Sequence, residues 1–298
     1  FNWTFTLGTG LMDPWTQGAT AVIPEAGTPI TDLPRLLNRS KATIFAAAPG
    51  VYRKLLQADD PIDLPVLRHG LCAGEKLSPH LSTDWTNRTG AALYEAFGMS
   101  ECSTFVSGSP ANPVPPTSIG RPQYGRRVAI VDPDGAPVAI GEDGIIAVHA
   151  SDPGLMLGYV GAPEDTAARF RQGWFLTGDR GVMLDDLQIR YLGRSDDMMN
   201  AGGYRVSPIE VETALAAYPG IAQVGVTDVA VRDDVRIVVA FYTARDPIDH
   251  KSLSAFAADR LARYKQPRAF VHVPELPTGA NGKLLRRALR DQYRPDPI

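Results

Sequence analysis

From Thr20 onward, short apolar runs alternate with amphipathic segments: ATAVI, DLPRLLNRS, ATIFAAA, PGVYRKLLQ, LRHGLCAG, LSPHLSTDWTNRTG and ALYEAF. The short runs predict buried strands, and the longer stretches with apolar residues at helical spacing predict amphipathic helices. Alternation of the two predicts an α/β architecture over residues 1–106, a parallel sheet with crossover helices. Ligands of such sheets sit at the carboxyl ends of the strands. Two strand exits are therefore candidate ligand sites, Ala73-Gly74-Glu75 and Phe97-Gly98-Met99-Ser100-Glu101.

Between Ser107 and Leu192 the pattern breaks into short strands punctuated by Pro and Gly, including RRVAIVDPDGAPV, DGIIAVHA and WFLTGDRGVMLDDLQIRYLG. These predict an antiparallel sheet or distorted barrel, with turns at Asp134-Gly135 and Asp185-Asp186. Ser207-Pro208 then opens a helix, because Ser is a good N-cap, Pro suits the first helical position, and IEVETALAA carries an apolar stripe. The stretch IAQVGVTDVAVRDDVRIVVAFYTA predicts a strand pair, Asp249 to Tyr264 a second amphipathic helix, and AFVHV a last strand before a glycine-rich loop and a basic helix. The predicted organisation is a large domain over 1–195, α/β in 1–106 and β-rich in 107–195, followed by a small α+β domain over 196–298.

At 298 residues, two cores are the natural expectation. The formal net charge of −3 argues against a broad nucleic-acid footprint or an electrostatic membrane anchor, both of which need clustered positive charge. No apolar run approaches the roughly 18 residues of a membrane span. The two cysteines, Cys72 and Cys102, have no metal-ligand spacing and fit a reducing, cytoplasmic setting. Phe1 enters directly into apolar, structured-looking sequence, which reads as a cut inside a domain.

The segment PTGANGKLLRR at 277–287 places Lys283 at the tip of a glycine-rich turn. It is not a P-loop: only two residues separate Gly279 from Gly282, and Leu284 stands where a Ser or Thr would be required. Read alone, it is a turn bearing a solvated lysine. Four separated stretches change that reading: FGMSE at 97–101, WFLTGD at 174–179, YLGRSDDMMNAGGYRVSPIEVE at 191–212, and PTGANGK at 277–283. In this order and spacing the chain resembles the latter part of the AMP-forming adenylating superfamily, which includes acyl-CoA synthetases, peptide-synthetase adenylation domains and luciferases. The stretch LGTGLMDPWTQGATAV, together with GGYRVSPIEVE, is most similar to benzoate-type and medium-chain acyl-CoA synthetases.

The resemblance implies a site for each part of an acyl-adenylate reaction. Phe97 would stack on adenine where the family usually has Tyr, and Gly98 would let the backbone approach. Ser100 would offer a hydroxyl to the α-phosphate, and Glu101 a carboxylate to Mg²⁺. Gly74 and Glu75 would line the adenine side, with Glu95 as a second polar contact. Asp179 would accept the ribose hydroxyls, and Arg194 would contact ribose and phosphate. Asp196 falls at the family's hinge. Gly202, Gly203, Tyr204 and Arg205 would line the pantetheine tunnel of coenzyme A. Lys283 would bridge the carboxylate and the α-phosphate during adenylation and leave when the mobile small domain turns.

The family's lysine-bearing loop for the β- and γ-phosphates has no counterpart in these residues, so the polypeptide as given is expected to bind nucleotide without turnover. VRDDVR also departs from the Gly-Glu that many relatives carry after this turn. The expected function is an acid–CoA ligase for an aryl or medium-chain acid, using ATP, Mg²⁺ and CoA. The alternatives are a non-catalytic nucleotide-binding fragment and an enzyme that loads a carrier protein. The expected partners are these small molecules and a second copy of the chain in a homodimer, without nucleic acid or a membrane span.

Overall fold

The computed structural model describes residues 4–58, 61–74, 77–115, 118–201, 204–232, 235–279 and 284–293. It divides into two compact units, Phe1–Thr177 with Gly181–Tyr191, and Gly178–Arg180 with Leu192–Ile298. Residues 178–180 join the second unit through local bonds: the Ser195 N–H donates to the Gly178 carbonyl at 2.8 Å, and Arg194 reaches Asp179.

The first unit opens with helical turns, α1 (Thr4–Leu7), a wider turn over Gly8–Met12, and α2 (Asp13–Thr16). Ala19–Ile23, expected as a strand, forms none. Its Val22 and Ile23 are exposed, and no described strand supplies the backbone partner that a strand requires. The expected alternation follows in α3 (Leu33–Arg39), β1 (Ile44–Ala47), α4 (Pro49–Gln57), β2 (His69–Cys72), α5 (Pro79–Thr89) and β3 (Ala92–Met99). Strands β1, β2 and β3 pair in parallel, with Ala47 opposite Cys72 and Cys72 opposite Glu95. The ends of α5 follow from its sequence. Ser78 Oγ accepts the Leu81 N–H, Pro79 takes the first position, and Gly90 ends the helix in a left-handed conformation at φ 74°.

Tyr52 and Trp85 are fully buried between these helices and the sheet, with ring centroids 4.8 Å apart, edge to face. Burial of each such side chain stabilises by about 1.5–3 kcal/mol. The Tyr52 hydroxyl is satisfied by the carbonyls of Phe45 and Leu71, at 2.7 and 3.0 Å, and so joins β1 to β2.

The second strand exit falls within the expected stretch Phe97–Glu101, at its far end. Beyond Ala96, β3 changes partner and pairs antiparallel with β4 (Ser103–Ser107), with a bulge at Phe97/Gly98; β4 then pairs with β5 (Arg121–Pro122). The chain therefore turns at Ser100-Glu101. A further sheet runs in the order β10–β9–β7–β6, formed by β6 (Val128–Val131), β7 (Asp143–His149), β9 (Trp174–Met183) and β10 (Ile189–Arg194). The short β8 (Phe170–Arg171) pairs with β9, after α6 (Pro163–Ala168). Turns occur at Asp134-Gly135 and Asp185-Asp186.

In the second unit, β11 (Met199–Ala201) and β12 (Tyr204–Val206) form an antiparallel ribbon that leads into α7 (Pro208–Ala216). The Ser207 side chain caps α7 by accepting the Glu210 N–H at 3.2 Å. Antiparallel β13 (Gln223–Arg232) and β14 (Val235–Thr243) are the expected pair, and β15 (Ala269–His272) adds in parallel to β14. Along β14, Val238, Ala240 and Tyr242 face the core shared with α7 and α8 (His250–Ala258), whereas Val239 and Phe241 face α9 (Arg286–Gln292). The helix expected to reach Tyr264 ends at Ala258, where the chain turns to bury Leu261 in that core; a separate short helical turn follows at Arg263–Lys265. Among the described residues no helix is long and apolar enough to cross a membrane.

Candidate active site

Ser100 and Glu101 form the tight turn between β3 and β4. The Cys102 N–H closes it on the Met99 carbonyl at 3.2 Å, and Ser103 takes a left-handed φ of 54°. Gly98 is required by space: a Cβ there would lie 2.2 Å from the Ser103 carbonyl oxygen and 2.7 Å from Thr104 Cα. Both obstacles are backbone, so no side-chain rotation relieves them. A small pocket opens at this turn, with Thr4, Gly74, Ala96, Gly98, Ser100 and Thr104 in its lining. Thr4 Oγ1 and Ser100 Oγ are 3.0 Å apart. Gly74 follows β2 with φ 92°, a conformation that favours glycine.

The turn is held from below by a buried ion pair. Arg126 donates to the carbonyls of Cys102 and Thr104, at 2.7 and 2.9 Å, and its Nε lies 2.9 Å from Asp152 Oδ1. Asp152 also accepts the N–H groups of Arg127 and Gly154, at 2.6 and 2.8 Å. Burial alone would raise the Asp152 carboxyl, but these two N–H groups and the guanidinium hold it below the usual carboxylate range. Glu101 is held from another side: its Oε1 accepts the Tyr159 hydroxyl at 2.9 Å. Burial, and then the Glu101 carboxylate, raise the Tyr159 phenol above its ordinary value.

Of the residues expected here, Gly74, Gly98 and Ser100 meet in the pocket, and Glu101 shares their turn. Glu95 is buried on β3 and accepts the Leu77 N–H at 3.3 Å, which ties down the segment after β2. Phe97 lies outside this pocket lining and is half-buried, edge to face with Phe105 and tilted against Tyr191, with centroids 5.4 and 5.3 Å away. Glu75 lies outside the described residues.

In the second unit, Arg194 stands between two carboxylates. Its Nη1 is 3.7 Å from Asp179 Oδ2, and its Nε donates to Asp196 Oδ1 at 3.2 Å. Asp179 is buried, whereas the Asp196 side chain is 76% exposed and so remains open to solvent. Arg205 donates to the Ser195 carbonyl at 3.2 Å. Tyr204 is exposed and stacks on Tyr264 at 4.5 Å. Gly202, Gly203 and Lys283 lie outside the described residues.

Sequence reasoning missed Thr4, Tyr159 and the Arg126–Asp152 pair, whose partners lie far away along the chain. Among the described residues no group of three or more His, Cys, Asp or Glu could hold a metal ion. Mg²⁺ is commonly bound by one or two carboxylates together with phosphate oxygens and water, and Glu101 is a carboxylate of that kind.

Comparison with known proteins identifies the family. The family model described as AMP-binding enzyme matches residues 1–160, and that of the AMP-binding enzyme C-terminal domain matches residues 210–283. The mitochondrial acyl-coenzyme A synthetase ACSM3 of Mus musculus is 33% identical over 97% of this chain and 52% of its own length. The mitochondrial ACSM4 of Rattus norvegicus is 35% identical over 93% of the chain and 50% of its own. The chain thus spans about half the length of the curated relatives it matches. The crystal structure of the anthranilate CoA ligase AuaEII with anthranoyl-AMP superposes with a TM-score of 0.87 at 30% identity, covering 97% of this chain and 57% of that one. A benzoate CoA ligase from Burkholderia xenovorans LB400 gives 0.84 at 29% identity, covering 97% and 59%. The chain belongs to the AMP-binding enzyme family.

Proposed function

We propose that the complete gene product is an AMP-forming acid–CoA ligase for an aryl or medium-chain carboxylic acid. The observation that carries this reading is the meeting of Gly74, Gly98 and Ser100 in one pocket, at the turn that also bears Glu101. In the first step, a carboxylate oxygen attacks the α-phosphorus of ATP, the bond to pyrophosphate breaks, and acyl-AMP forms. In the second, the CoA sulfur attacks the acyl carbonyl and AMP leaves.

Two glycines let the nucleotide approach the backbone closely, and Phe97 offers adenine an aromatic face on which to stack. Ser100 donates its hydroxyl to the α-phosphate. Glu101 holds Mg²⁺, which when bound neutralises phosphate charge. Asp179 accepts the ribose hydroxyls, and Arg194, already oriented by carboxylates on either side, adds a planar fork of donors. Lys283 supplies a cation as charge develops at the α-phosphorus. Asp196 acts as the hinge between half-reactions, and Gly202, Gly203, Tyr204 and Arg205 receive the pantetheine arm.

The test is ATP–pyrophosphate exchange by the complete gene product against a panel of aryl and medium-chain acids. Acid-dependent exchange is expected. Lys283→Ala should abolish it while leaving thioester formation from supplied acyl-AMP largely intact, because the cation is needed only in the first transition state. Exchange independent of acid, or equal loss of both half-reactions, would contradict the assignment.

A further inference from the structure

Glu101 is held by a segment distant from it in sequence. The Tyr159 hydroxyl donates to its Oε1 at 2.9 Å, and the Met156 N–H donates to its backbone carbonyl at 2.6 Å. Tyr159 is itself fixed: its N–H donates to Thr166 Oγ1 at 2.9 Å, and that hydroxyl donates to the Ala162 carbonyl at 3.0 Å, at the start of α6. The neighbouring side chains Leu157 and Val160 are fully exposed. Packing of these two side chains therefore does not account for where Tyr159 points; its polar contacts do.

We infer that Tyr159 is a positioning residue for a metal ligand: its hydroxyl engages one oxygen of the Glu101 carboxylate and turns the other, Oε2, toward the divalent cation that accompanies the nucleotide. This rests on the reading of Glu101 as the Mg²⁺ ligand. A carboxylate with no fixed partner rotates about its last bond and presents either oxygen in many directions. A donor on Oε1 sets the plane of the group, so less freedom is lost when the cation binds Oε2. Partners of this kind, which touch the ligand and not the metal, typically change metal affinity by about 10–100-fold when removed. Glu101 also needs its backbone in register, which the Met156 bond to its carbonyl supplies from the same strap.

The experiment measures Mn²⁺ binding to the complete gene product saturated with α,β-methylene-ATP, by the electron paramagnetic resonance signal of free Mn²⁺. Tyr159→Phe removes only the hydroxyl and should weaken Mn²⁺ binding by about 10-fold, with metal-free nucleotide affinity and melting temperature unchanged. Thr166→Val, which removes the acceptor of the Tyr159 N–H without touching Glu101, should act in the same direction by less. On a Glu101→Gln background, Tyr159→Phe should have no further effect, since the group it orients is gone. Unchanged Mn²⁺ binding in Tyr159→Phe, with binding lost in Glu101→Gln, would overturn the role of Tyr159 and leave the metal reading intact. Normal binding in Glu101→Gln would overturn the metal reading itself. Should Tyr159→Phe melt early, Thr166→Val decides: normal Mn²⁺ affinity in that variant would also sink the inference.

Discussion

Replacing Asp152 by Asn tests whether a buried ion pair sustains the Ser100-Glu101 turn. The carboxylate has no exposed side-chain surface and takes three partners: Arg126 Nε, the Arg127 N–H and the Gly154 N–H. An amide of the same shape presents one oxygen to these donors and turns its NH₂ against the rest, leaving the buried Arg126 guanidinium uncompensated. Breaking one side of a buried pair costs about 3–5 kcal/mol. With a urea m-value of about 2 kcal/mol/M, the midpoint should fall by roughly 1.5–2.5 M. The protein carries a suitable probe, because the tryptophans among the described residues, Trp15, Trp85 and Trp174, belong to the first unit. Tryptophan emission, excited at a wavelength that tyrosine does not absorb, therefore follows that unit. The pH dependence supplies a second check. The folded-state carboxyl is held below its unfolded value near 3.9, so its contribution is fully present above about pH 4 and is lost as pH falls through the folded value. The gap between parent and Asp152→Asn should accordingly narrow below about pH 4. A midpoint shift under roughly 0.5 M at neutral pH, or a gap that widens in acid, would refute the reasoning.

Two further predictions concern single atoms. Gly98→Ala forces a Cβ against the Ser103 carbonyl and should cost about 1–3 kcal/mol or more by overpacking, seen as a lower urea midpoint in tryptophan fluorescence; an unchanged midpoint would mean that β4 can move aside. Ser207→Ala removes the acceptor for the Glu210 N–H and should destabilise α7 by about 1 kcal/mol, read as faster amide hydrogen exchange over 208–216 with unchanged tryptophan fluorescence.

Much of the fold was legible where local chemistry decides it. Ser78 and Ser207 announce helix starts because the capping oxygen sits in the cap residue itself, and β13 and β14 announce a pair through continuous apolar patterning. Reading failed where a distant partner decides. ATAVI has the composition of a strand, yet composition supplies no neighbour to bond with. The change of partner along β3 is another case, because its antiparallel pairing from Ala96 to Met99 depends on capture by β4, which no residue of β3 encodes. The helix after Asp249 was drawn too long because Leu261 fits an amphipathic stripe but buries by turning out of the helix. The same division runs through the candidate site. FGMSE identifies residues suited to touch a ligand, whereas Tyr159 lies 58 positions from the carboxylate it bonds.

That separation bears on how the site keeps its shape. Ser103 holds a left-handed backbone although it is not glycine, at a cost of about 1–3 kcal/mol, and such a conformation persists only where its surroundings over-determine it. Here they do so from several directions. Arg126 gathers the carbonyls on either side of Ser103, those of Cys102 and Thr104, onto one guanidinium. Gly98 leaves the space into which the Ser103 carbonyl must point, and Gly154 leaves the space for the guanidinium, since a Cβ there would lie 2.7 Å from Arg126 Cζ. Two glycines and a buried ion pair thus fix a turn whose own residues would not choose it. The proposed nucleotide-contacting pair Ser100-Glu101 is oriented by those groups as well as by its own motif, so substitutions at Arg126, Asp152 or Gly154 should weaken nucleotide binding measured by calorimetry; unchanged affinity in all three would sink this reading.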